Sequence, residues 1–172
     1  MRHTISILVE NEFGVLARVS GMFSGRGFNI ESLSVAETMD PTVSRITLVT
    51  RGDDQVLAQV EKQLNKLINV IRVTDFTDTP HVARELVLIK VAVDERTRGE
   101  VANVIDIFRG KIIDVSAKTY VVEVTGDEGK VEALIALLEP IGILEIVRTG
   151  RVAMFRGSRL LTVDSKNEDT AA

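Results

Sequence analysis

The 172-residue sequence contains no cysteine, which removes disulfides, thiolate nucleophiles and cysteine-based zinc sites from consideration. Histidine is almost as rare: His3 and His81 are the two, too few for a histidine-rich metal site within one chain. No apolar run approaches the roughly 18 residues of a membrane span, and no secretory-signal pattern opens the sequence, so the expected location is the cytoplasm with no membrane attachment. Positive charge is not in excess. The formal net charge is −4, whereas a general binder of phosphate backbones carries a basic stripe. Aromatics are few, six Phe and one Tyr, and read as core rather than as platforms for stacked bases. What remains, 45% hydrophobic and 27% charged, is the composition of a globular protein with room for one ordinary domain or two small ones.

Hydrophobic periodicity supplies the elements. "HTISILV" alternates, placing Ile5, Ile7 and Val9 on one face of a strand, and Val15, Leu16, Val19, Met22 and Phe23 then recur at helical spacing. Gly25 and Gly27 end that helix, in keeping with glycine's place in left-handed caps. "FNIESLSVAET" and "SRITLVTRG" read as strands joined through the Asp-Pro turn of "MDPTV". "DDQVLAQVEKQLNKL" is a helix that Asp53 or Asp54 can cap, and "NVIRVTDF" is a fourth strand. The same order returns: strand "ELVLIKVAV", helix "RGEVANVIDIFRG", strands "KIIDVS" and "TYVVEVTG", helix "DEGKVEALIALLE" stopped by Pro140, and strand "ILEIVRTG".

Registration supports a duplication. Gly14, Val19, Phe23 and Gly25 fall on Gly99, Val104, Phe108 and Gly110, each 85 residues on; Gly52, Val60 and Leu64 fall on Gly126, Leu134 and Leu138, each 74 on. The order predicts an α+β protein of two tandem ferredoxin-like βαββαβ domains, each an antiparallel four-stranded sheet with two helices on one face. The expected bounds are 1–77 for the first domain, 78–85 for a linker marked by Pro80, 86–159 for the second domain and 160–172 for a polar tail, "LTVDSKNEDTAA" being its bulk. Domains of about 75 residues are marginal alone, and open sheet faces and edges need covering, so a homodimer is expected.

The turn "ENEFGVLARV" changes directly from strand to helix. Such a helix start leaves its first N–H groups unpaired and partly positive, and Gly14 removes the side chain that would shield them from an anion. On the residues alone the preferred reading is plainer: Asn11 or Glu12 caps the helix and Gly14 serves the turn. A phosphate loop is excluded, with one Gly where several are needed and no Lys. Asn29, in "GFNIES", offers donor and acceptor groups either to a small zwitterion or to the neighbouring loop. Glu10, Glu12, Glu31 and Glu37 form no readable acid–base pair, and Ser20, Ser24, Ser32 and Ser34 have no evident His partner. Arg109, Arg148, Arg151, Arg156 and Arg159 form a modest basic set whose usual role is a solvated face. Nothing points to a catalytic site.

Taken together, "ISILVENEFGVLARVSGMFSGRGFNIESLSV" resembles the N-terminal ACT domain of the acetohydroxyacid (acetolactate) synthase small subunit. "DPTVSRITLVTRGD", "EKQLNKLINVIRV", "RELVLIKV" and "IFRGKIIDVS" extend the resemblance over roughly residues 1–159. It implies a non-catalytic regulatory subunit of branched-chain amino acid biosynthesis. Such a subunit dimerises, activates the catalytic large subunit and confers feedback inhibition by valine. Thiamine diphosphate, Mg and FAD are then expected on the large subunit, and no cofactor on this chain. It also implies an effector site made by the loop after the first strand of one protomer, here Asn11, Gly14, Val15 and Leu16, with the start of its neighbour's second strand, here Asn29 and Ile30. With that support, the anion-pocket reading of the turn becomes the favoured one. The second copy is expected not to bind valine in the same way, because its loop brings Arg96 and Arg98 and Asp114 stands as the counterpart of Asn29. Two alternatives remain: a free-standing ACT amino-acid sensor for another enzyme, and an RRM-like nucleic-acid-binding module with the same strand order.

Overall fold

The computed structural model describes residues 1–164. These form two compact units, Met1–Val82 joined by the segment from Arg151 onward, and Ala83–Gly150.

In the first unit, β1 (Arg2–Glu10), α1 (Val15–Gly25), β2 (Ile30–Glu37), β3 (Val43–Arg51), α2 (Asp54–Leu64) and β4 (Val70–Asp75) follow in order. The antiparallel sheet has the order β2-β3-β1-β4. Alternation decides the core face: Ile5, Ile7 and Val9 of β1 and Ile46 and Leu48 of β3 pack against Val15, Val19 and Phe23 of α1 and Val60 and Leu64 of α2. Helix α1 ends in a Schellman motif, with Phe28 N–H donating to Phe23 O (3.0 Å), Gly27 N–H to Ser24 O (3.2 Å) and Gly27 at φ 72°. The accompanying apolar contact is the edge-to-face pair Phe23–Phe28, centroids 6.3 Å apart. Gly27, not Gly25, is the left-handed residue.

The opposite face of this sheet is partly covered from within the chain. Arg45, half-buried, donates to Ser6 Oγ (3.4 Å) and to Ala153 O (2.8 Å), and Arg151 donates to Thr4 Oγ1 (3.2 Å). Phe155, in the short strand β9 (Val152–Phe155), stacks obliquely on buried Phe76 at 4.8 Å, and the Arg159 guanidinium lies 4.1 Å above the Phe155 ring. Residues 151–159, assigned from sequence to the second domain, therefore belong with the first unit. The anticipated linker also differs, because residues 81–85 open β5 (His81–Ala92), with which β9 pairs. Four residues of β9 carry too little alternation to be read, and their partners lie far away in sequence.

From β5 the second unit continues through α3 (Arg98–Ile107), β6 (Lys111–Val115), β7 (Thr119–Gly126), α4 (Glu128–Gly142) and β8 (Ile143–Arg148), in sheet order β6-β7-β5-β8. Val87, Ile89 and Val91 pack on Val101, Ile105, Val131, Leu134 and Leu138. Helix α4 runs two residues past Pro140 and ends at Gly142, φ 125°. Proline's fixed φ suits a helix, and in the last turn its missing N–H removes only one bond.

Both units are thus ferredoxin-like with the same element order, and their first strands and helices correspond at a register of 82 rather than 85. Ile5, Ile7, Val9, Val19 and Phe23 correspond to Val87, Ile89, Val91, Val101 and Ile105, all buried. The irregularities of the opening strands agree, falling between Leu8 and Val9 in β1 and between Lys90 and Val91 in β5. Under this register Gly27 corresponds to Arg109, which takes the same left-handed position at φ 52° in a second Schellman motif. The register of 74 holds for helices α2 and α4, whereas the strand pairings place β3 on β7 at 76 and β4 on β8 at 73. Asp53 and Asp127 cap α2 and α4 by accepting from Val56 N–H and Lys130 N–H, each at 2.9 Å.

Candidate functional site

The loop from Glu10 to Gly14 is the place where strand turns into helix. Gly14 is the N-cap of α1 with φ 80° and ψ −4°, a left-handed conformation that bulkier residues avoid, and a Cβ there would meet no atom within 4 Å. No side chain caps α1, unlike α2 and α4. Val15 N–H reaches Glu12 O only at 3.4 Å. The helix start therefore presents weakly satisfied donors under an open space, the arrangement that suits an anion.

The second unit closes the equivalent position itself. Under the 82-residue register Glu12 corresponds to Asp94, whose Oδ1 accepts from Arg96 N–H and Thr97 N–H, both at 2.8 Å. The Thr97 N–H and hydroxyl, then Arg96 N–H, hold the Asp94 carboxyl below its ordinary pKa. Gly14 corresponds to Arg96; along the sheet Lys111 lies level with Ser34 and Asp114 with Ala36, so Asp114 is not the counterpart of Asn29. Gly99, registered on Gly14 from sequence, lies inside the first turn of α3 without positive φ.

The six candidate residues separate into distinct environments. The Asn11 side chain is engaged, donating to Glu37 Oε1 (3.1 Å) and Pro41 O (2.9 Å), so it ties the β1–α1 loop to the β2–β3 hairpin. Val15 is a core residue, and its side chain is unavailable to a ligand. Leu16 is exposed beside Gly14. Ile30 packs against the same core. The Asn29 side chain is exposed and makes no hydrogen bond among the described residues, while its carbonyl accepts from Thr50 Oγ1 at 2.7 Å.

Position along the sheet decides what these residues can do together. Ile30 pairs with Thr50 and Glu37 with Ser44, so Asn29 lies at one end of β2. Asn11, bonded to Glu37, lies at the other. Eight strand residues span about 23 Å at ~3.3 Å per residue, far beyond the size of an amino acid. One chain cannot close both halves around one ligand. Beside the loop, a cleft of about 670 Å³ is lined by Glu10, Glu12, Asp40 and Asp164 among others, an acidic surface that does not suit an anion within one chain.

Other residues singled out from sequence have structural partners. His3 is buried, with Nδ1 3.0 Å from Thr77 Oγ1 and Nε2 3.2 Å from Gly52 O; His81 Nδ1 lies 2.8 Å from Thr79 O. Glu31 is shared by Arg2 and Arg51, and Glu10 accepts from Asn69, which in turn accepts from Arg18. Arg148 joins Glu85 and Glu132, and hydrogen bonding to Glu85 raises its pKa. Arg156 donates to His81 O. The late basic set is thus largely engaged within the chain. Among the described residues no group of three or more His, Asp or Glu could hold a metal ion, and no helix is long and apolar enough to cross a membrane.

Comparison with known proteins bears on both units. Residues 5–72 match the model of the AHAS small subunit-like ACT domain, and residues 84–157 that of the small subunit of acetolactate synthase. The chain belongs to the acetolactate synthase small-subunit family. Within that family it is 54% identical over 156 residues to the acetolactate synthase small subunit of Aquifex aeolicus, covering 90% of this chain and 81% of that one. It is also 54% identical over 159 residues to a probable acetolactate synthase small subunit of Archaeoglobus fulgidus, covering 92% and 99%. The crystal structure of the small subunit from Thermotoga maritima superposes with a TM-score of 0.83 at 44% identity, covering 92% of this chain and 99% of that chain. The first unit is accordingly an ACT domain and the chain a regulatory small subunit. The strand order shared with RRM modules reflects fold alone, and β1 and β3 carry Thr4, Ser6, Arg45 and Thr47 where stacking aromatics would be needed.

Proposed function

We propose that this small subunit is non-catalytic. It binds the catalytic large subunit of acetolactate synthase, raises its activity and makes it sensitive to valine, while thiamine diphosphate, Mg and FAD stay on the large subunit. The effector site takes Asn11, Gly14, the Val15 backbone and Leu16 from one copy and Asn29 and Ile30 from a second. The uncapped start of α1 carries this reading: of the two corresponding loops, one is filled by its own Asp94 and the other is left open at Gly14.

A homodimer supports the same geometry. Strand β2 is an edge of its sheet, and two β2 strands related by a two-fold axis pair antiparallel. That pairing brings Asn29 of one copy toward the Glu37 end of the other, where Asn11 and the α1 start lie. The side-chain donors of Asn29 then complement the carboxylate or carbonyl groups across the interface. The energies suit a sensor: a carboxylate at a helix start gains about 0.3–1 kcal/mol, or ~2 if partly buried, and burial of a valine side chain about 1.5–3 kcal/mol. By linkage, the catalytic subunit must change valine affinity by the factor by which valine changes subunit binding.

The test is acetolactate formation by the catalytic subunit, with and without this chain, against valine concentration. Activation with valine-dependent inhibition supports the reading. A chain that leaves the catalytic subunit unaffected is instead a free-standing sensor.

A further inference from the structure

Among the described residues, the three most exposed large apolar side chains are Phe13 (106%), Met39 (104%) and Ile68 (87%). They are far apart in sequence but occupy three loops at one end of the first unit: β1–α1, β2–β3 and α2–β4. The strand order β2-β3-β1-β4 places these loops within about 14 Å across the sheet, three spacings of ~4.8 Å. Hydrogen bonds hold the loops together. Asn11 N–H donates to Thr42 O (2.7 Å) and its side chain to Pro41 O, Glu10 N–H donates to Asn69 O (2.9 Å), and the Arg18–Asn69–Glu10 chain adds two bonds of 2.6 Å. Isolated exposed apolar residues are ordinary, but the three extremes on three braced, adjacent loops are not.

We infer that Phe13, Met39 and Ile68 form a docking surface for the catalytic large subunit, an inference that rests on the regulatory reading above. Phe and Met are favoured at interface cores, and loops already braced lose little freedom on binding. Charge selects the occupant. Glu10, Glu12 and Asp40 against the single Lys66 leave these loops net acidic, so a two-fold contact of this end with itself would set like charges against one another. A partner with an apolar pocket and a basic rim fits instead. Phe13 adjoins Gly14, so effector and catalytic subunit would share one loop. That shared loop gives a physical route for reciprocal coupling.

The experiment titrates the catalytic subunit with wild-type chain and with Phe13→Ser, Met39→Ser and Ile68→Ser, reading half-maximal activation. Sedimentation of the small subunit alone is the parallel measurement. Ile107→Ser, an exposed position in the second unit, serves as control. Each of the three variants is expected to raise the half-activating concentration at least tenfold, with self-association and thermal melting unchanged and the control behaving as wild type. The wild-type titration should also weaken with added salt. Wild-type-like titration by all three variants, or a loss of self-association instead, overturns the docking surface while leaving the regulatory reading intact. Absence of any activation by the wild-type chain overturns both.

Discussion

Replacing Gly14 by Asp puts backbone strain and charge repulsion at one position, and their magnitudes can be compared. Strain comes from the left-handed conformation at φ 80°, which costs a non-glycine residue about 1–2 kcal/mol, Asp being among the residues that tolerate it best. No collision adds to this, because a Cβ there meets nothing within 4 Å. Stability should fall by about 1 kcal/mol, a drop of roughly 4–8 °C in the melting temperature of a small domain. Repulsion is larger. A tethered carboxylate about 4 Å from the effector carboxylate costs on the order of 4 kcal/mol at an effective dielectric near 20, against the ~1–2 kcal/mol that a helix start contributes. Salt and exposure reduce that figure, so valine affinity should fall by about 10- to 1000-fold. Gly14→Ala carries the strain without the charge and should keep inhibition within a few-fold. The assay is acetolactate formation by the reconstituted pair across valine concentrations, with thermal melts of both variants. An unchanged inhibition curve for folded Gly14→Asp would refute the site.

Asn29→Ala should shift half-inhibition by about fivefold, the ~1 kcal/mol of one hydrogen bond, while packing within each chain is untouched because its side chain is exposed and makes no hydrogen bond among the described residues. Gly52→Ala should destabilise by about 1–3 kcal/mol in urea unfolding, since its Cβ would lie 2.5 Å from Val56 Cγ1. Its repeat counterpart Gly126→Ala should cost less, because the 2.7 Å contact is with the flexible Lys130 chain. Asp94 has a folded-state pKa below its ordinary 3.8, so its contribution to stability is present above that value and is lost as pH falls through the lower folded value. Stability measured against pH should therefore show a flatter acid limb for Asp94→Asn, with the variant and wild type converging at the lowest pH.

Much of this fold can be read from period alone. The alternation of Ile5, Ile7 and Val9, the helical stripe ending in Phe23 and the aspartates capping α2 and α4 are local signals with local causes. The register of the first half was not readable that way. Gly14 and Gly99 look alike in sequence, but one is left-handed at a helix N-cap and the other is ordinary helix, a difference of dihedral angle that residue identity does not carry. The return of β9 to the first unit was hidden for another reason: Ala153 O meets Arg45 from 108 positions away. Of the candidate site, Gly14 and the exposed Leu16 and Asn29 lie where a ligand could reach them. The helical pattern already placed Val15 on the apolar stripe, and its burial follows from that.

The two-copy effector site is tested most directly by a mixed dimer. Chains carrying Gly14→Asp and chains carrying Asn29→Ala are co-expressed with different tags, and the heterodimer is isolated and titrated calorimetrically with valine. If the loop of one copy works with the strand of the other, both defects fall on one site and the second site is wholly wild type. The heterodimer should then bind one valine with wild-type affinity, while the Gly14→Asp homodimer binds none at that strength. A heterodimer with no wild-type-affinity site would contradict a site shared between copies.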